Sequence, residues 1–140
     1  MESLIIKNSQ LVTATFKGTP TVGRNYKFDD IPNISRNNIV LYGIEAFTAA
    51  QLAKTALGQT VIADADKVNL IVTLKDVNNV EFVYQIPYSD LIRSDNGGFV
   101  VMLEPKIINL TECYVQLVAA GSVAAEQVAI FNFYYDIIQD

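Results

Sequence analysis

From Asn38 onward the chain alternates apolar and polar side chains in short stretches separated by turn residues, the period of half-buried β-strands. The clearest case is "KVNLIVTLKDVNNVEFVYQIP". There Val68, Leu70, Val72 and Leu74 alternate with Asn69, Ile71, Thr73 and Lys75. Val80, Phe82, Tyr84 and Ile86 return after a turn rich in Asp and Asn, so the pattern predicts an antiparallel hairpin. Before it, "NIVLYGIEAF" predicts a strand bent at Gly43, because an interior glycine marks a bulge or bend. "TAAQLAKTAL" holds helix-favouring Ala, Leu, Gln and Lys and predicts one or two short helical turns. "YSDLI" predicts another turn, capped by Ser89 or Asp90. "SDNGG" predicts a reverse turn, since Asn96, Gly97 and Gly98 tolerate positive φ. "FVVML", "ECYVQLVAA" and "EQVAIFNFYYDIIQD" complete the strand set. Seven or eight strands with little helix predict an all-β chain, a two-sheet antiparallel β-sandwich of jelly-roll-like type.

The final strand carries apolar side chains on both faces. Ala129, Phe131, Phe133, Tyr135 and Ile137 line one, and Val128, Ile130, Asn132 and Tyr134 line the other until Asp136. A strand with one side in water does not have this pattern. Either it is a central strand whose second face lies under a loop or the N-terminal segment, or that face packs on another chain. Interfaces enrich Tyr and Phe and deplete Lys, Glu and Asp at their centres. Ile71 and Val83, on the expected polar face of the hairpin, point the same way. The expectation is therefore a subunit interface built from Phe131, Phe133, Tyr134 and Tyr135, with Phe16 and Tyr26 from the N-terminal segment. A register slip of one residue exchanges the two faces.

Residues 1–38 read differently from the rest. Short β-prone pieces at Leu4–Ile6 and Leu11–Phe16 are followed by an extended segment around Tyr26–Pro32, among Gly18, Pro20, Gly23 and several Asn. The expectation is an N-terminal arm or edge hairpin over 1–38 and a sandwich over 39–140, in a single domain overall. Residues Leu11 to Tyr26 are the candidate for reaching a neighbouring subunit.

Composition narrows the chemistry. At 140 residues, with 51% hydrophobic and 18% charged side chains, the chain is a globular domain. A chain of this size buries roughly 68–70% of the surface it exposes when unfolded. No apolar run approaches the roughly 20 residues that span a bilayer. "MESLIIKNSQ" lacks a basic segment leading into an apolar run, so no signal peptide is expected and synthesis is placed in the cytoplasm. There is no histidine, which removes Ser-His and Cys-His nucleophile pairs and most zinc and iron sites. The one cysteine, Cys113, rules out an internal disulfide and reads as a small buried apolar group. The net charge is −5, and after Lys106 the only charged side chains are Glu112, Glu126, Asp136 and Asp140. That distribution disfavours nucleic acid, which needs clustered Lys and Arg.

Few residues offer reactive groupings. Asp64 and Asp66 are two oxygen ligands of the kind calcium takes, but the further ligands and the turn glycine of such a loop are missing. Asp29 and Asp30 share the weakness. A glycosidase-like carboxylate pair needs two groups roughly 5–10 Å apart, and Glu45 with Glu81 or Glu104 are the candidates. No phosphate loop, dinucleotide fingerprint or zinc spacing is present. The expectation is a protein that is not an enzyme and takes no metal or cofactor.

The order of "YKFDDIPNI", "IVLYGIEAFTAAQL", "VNLIVTL", "IPYSDL", "NGGF" and "IINLTECYV" resembles a group of small phage-encoded virion proteins. In them an I-E-x-F-T-x-x-Q-L segment precedes a strand hairpin and an I-P-x-x-x-L turn. The matching positions run from about Tyr26 to Tyr135. The resemblance implies a penton, auxiliary or minor capsid protein with a jelly-roll-like sandwich, and it carries over no active-site residue. It also implies a homo-oligomer, a ring or trimer, contacting other copies and other virion proteins, with no membrane and no direct nucleic-acid contact. The second class is a non-catalytic module that binds a host glycan or surface protein through "TALGQT", "KDVNN" and "RSDNGG". The third is a hydrolase built on Glu45.

Overall fold

The computed structural model describes residues 8–31, 39–92 and 101–137. Among these are eight strands: β1 (Asn8–Thr15), β2 (Tyr26–Lys27), β3 (Ile39–Ala46), β4 (Leu70–Lys75), β5 (Glu81–Pro87), β6 (Val101–Ile108), β7 (Tyr114–Leu117) and β8 (Val128–Ile137). They form two four-stranded antiparallel sheets, β1-β8-β3-β6 and β2-β7-β4-β5. The expected all-β, two-sheet sandwich is what the chain forms. β1 pairs with β8, β2 with β7, β3 with β6 and β4 with β5, so the strands close from the ends of the chain towards its middle. Contacts β3–β8 and β4–β7 stitch these pairs into sheets. The predicted strand at Leu4–Ile6 and the "SDNGG" turn lie outside the described residues.

One core fills the space between the sheets. Val12, Leu41, Ile44, Phe131 and Phe133 come from the first sheet, and Leu70, Val72, Leu74, Val115 and Leu117 from the second. Phe28, just past β2, meets Phe131 and Phe133 edge-on with centroids 5.3 and 5.7 Å apart, tying the flank of one sheet to the centre of the other. Such edge-to-face pairs add about 0.5–1.5 kcal/mol beyond the area they bury.

The segment 8–31 supplies an edge strand to each sheet. β1 runs beside β8 over eight paired residues, and β2 belongs to the opposite sheet. Phe16, Tyr26 and Phe28 are buried in the common core. The apolar side chains of this stretch, expected in an arm or an edge hairpin, fix it to the body.

The bend at Gly43 is present: pairing with both neighbours shifts register between Leu41 and Gly43. β4 follows its alternation from Leu70, with Leu70, Val72 and Leu74 fully buried, but Val68, expected on the same face, lies in a 3-10 turn over Asp64–Asn69 and is 62% exposed, and Thr73 on the other face is buried as well. β5 departs from it. Val83 and Ile86, paired with Leu74 and Val72, face the core, whereas Tyr84 is 59% exposed and Val80 57%. Two register shifts set extra residues of β5 against β4, and each changes which face the following side chains take. Gln85 adopts φ 52 at the irregularity, its N–H 3.4 Å from the Thr73 hydroxyl. The turn into β5 is held by Asp76, whose Oδ1 accepts from the Asn78 and Val80 amides at 2.9 and 3.0 Å.

"TAAQLAKTAL" forms no helix. Thr48–Leu52 is a single turn in which Gln51 and Leu52 amides donate to the Thr48 carbonyl. Ala53 to Val61 then form a hairpin, with Thr55 donating to Gln59 and Val61 to Ala53. A short segment repays helix nucleation only by burying an apolar stripe. Here Leu52 is half-buried and Leu57 is exposed, while Gly58 at φ 81 makes the tight reversal available.

"YSDLI" does form a turn, a 3-10 turn over Tyr88–Leu91, but without a side-chain cap from Ser89 or Asp90. Tyr88 holds it instead. Its ring is fully buried edge-on to Phe131. Its hydroxyl donates to the Phe47 carbonyl at 2.6 Å and accepts from the Ile130 amide at 3.4 Å. Burial pushes the phenol far above its ordinary value, the two backbone bonds offsetting this in part. Tyr88→Phe leaves both backbone groups short of a partner in a dry site. It should cost about 1–3 kcal/mol by urea denaturation with an unchanged m-value; a loss indistinguishable from zero contradicts this role.

Candidate functional site

Of the six side chains expected at a subunit interface, five are buried within the chain. Phe131, Phe133 and Phe16 have no exposed surface, and Tyr26 and Tyr135 retain 4% each. These five lie in the chain's own core or at its margin, because β8 is the second strand of its sheet and turns its rings towards the facing sheet. Tyr135 closes the margin by donating to Gln10 Oε1 at 3.0 Å.

The second face of β8 is also largely covered by the same chain. Val128 and Ile130 are buried. Beyond the end of β3, the segment Thr60–Ile62 takes its place beside Val128: the Val128 amide donates to Thr60 and the Ile62 amide to Val128. Further along, Tyr134 is half-buried and donates to Glu45 Oε1 at 2.6 Å, with Asn132 Nδ2 at 3.3 Å from the same oxygen. The apolar excess of the last strand is thus that of a central strand.

Glu45 is a buried carboxylate anchored by those two donors, on the first sheet. Glu81 is exposed at the start of β5 on the other sheet, so the structure does not join them into a pair. The Glu104 side chain lies outside the described residues.

Asp64 and Asp66 are likewise separated in task. Asp64 Oδ1 accepts from the Ala50 amide at 3.1 Å. Asp66, only 2% exposed, accepts from the Ser122 amide at 2.9 Å and the Ser122 hydroxyl at 2.6 Å, pinning the loop before β8. Gly121 passes so close that a Cβ there would stand 2.3 Å from Asp66 Oδ1, in a backbone at φ 53. Among the described residues no three His, Cys, Asp or Glu side chains gather as metal ligands. Cys113 is buried as expected. Burial raises its thiol to about 11, the Lys75 backbone bond and ammonium working the other way.

A groove of about 370 Å³ runs along the flank of the edge strand β1. Asp29 Oδ2 accepts from the hydroxyls of Thr13 at 2.5 Å and Thr15 at 2.7 Å, and the Asp29 amide donates to the Thr13 carbonyl. Gln59 Nε2 reaches Thr15 Oγ1 at 3.2 Å, bracing the hairpin 53–61 against β1. Leu11, 47% exposed, and Leu57, 87% exposed, line the same groove. On one side it shares Lys17, Asp29 and Asp30 with an adjoining hollow, and on the other Leu57, Gln59 and Glu126. Sequence reasoning missed Leu57. Its one signal was a leucine beside a glycine inside the polar "TALGQT". Of the three loops expected to carry a binding site, "TALGQT" borders the groove. "KDVNN" lies at the other end of the sandwich, beyond β4, and "RSDNGG" is outside the described residues.

No protein-family model, curated protein or solved structure matches this chain.

The placement of Phe131 has a direct consequence. Phe131→Ala should destabilise the isolated protein by roughly 3–5 kcal/mol, much of the 5–15 kcal/mol typical of a domain. Thermal and urea melts of the purified variant check this. A folded variant of unchanged stability that has only lost self-association would return Phe131 to an interface.

Proposed function

We propose that the chain is a non-catalytic structural component of a bacteriophage virion, a penton, auxiliary or minor capsid protein that assembles through subunit contacts. The observation that carries the reading is the strand pairing, first with last and second with second-last through to β4 with β5. Eight strands in two sheets with that pairing support a jelly-roll reading of the sandwich, an architecture that serves viral capsids and lectins. The order of segments from "YKFDDIPNI" to "IINLTECYV" supports the capsid branch. The carboxylates are consistent with it: Glu45, Asp66 and Asp29 are each engaged in holding one element to another. Fold alone does not choose a function, and the resemblance supplies the choice.

The lectin branch is the second reading, a module for a host glycan or surface protein. It is favoured by one feature, the position of "TALGQT" beside a groove that contains Asp29 and Gln59.

Particles purified from infected cells by density gradient and analysed by mass spectrometry should contain this chain in a fixed ratio to the major capsid protein. Abundance in the lysate with none in the particles overturns the proposal. Saturable sugar binding on a glycan array by protein absent from particles establishes the second reading instead.

A further inference from the structure

We draw no further inference here: the strongest candidate, the exposed Leu57 at the tip of the hairpin 53–61 beside the groove along β1, carries nothing because nothing in the structure shows what covers it.

Discussion

The packing of Phe131 between the two sheets is the contact on which the rest of this molecule depends. Its ring meets Phe28 from the β2 flank at 5.3 Å, Tyr88 from the turn after β5 at 5.3 Å and Phe133 along its own strand at 6.5 Å. Two distant parts of the chain therefore converge on one side chain of the last strand. β8 lies between β1 and β3, strands far away in sequence. Pairing of this kind pays its loop-closure entropy before the contacts form, so the sandwich holds together through long-range packing more than local preference.

Local features were readable because they depend on local chemistry. β4 needs only its alternation, the bend in β3 needs only Gly43, and the Asp76 turn needs only a carboxylate two and four residues before the amides it accepts. The parity of β5 was not readable. Its bulges arise from fitting Val83 and Ile86 against β4, and one inserted residue inverts every expectation after it. The failed helix at Thr48–Leu57 has the same origin, for its leucines have no common surface to cover.

The rings of the last strand that face the second sheet are buried by the chain's own core. Rings on both faces do require two coverings. Sequence cannot tell a sister molecule from a distant part of the same chain; here Phe28 and Tyr88 pack on Phe131, and Val128 and Ile130 on the other face are buried within the chain. The same economy governs the polar residues: Glu45, Asp66 and Asp29 join strands and loops that the apolar core does not reach.

Native-state hydrogen exchange along β8 tests the account most directly. The amides of Phe131 and Phe133, in a strand flanked on both sides and sealed by Phe28 and Tyr88, should exchange only through global unfolding, well after those of the edge strand β5. Exchange of the Phe131 and Phe133 amides as fast as those of β5 would contradict a fold organised around the last strand.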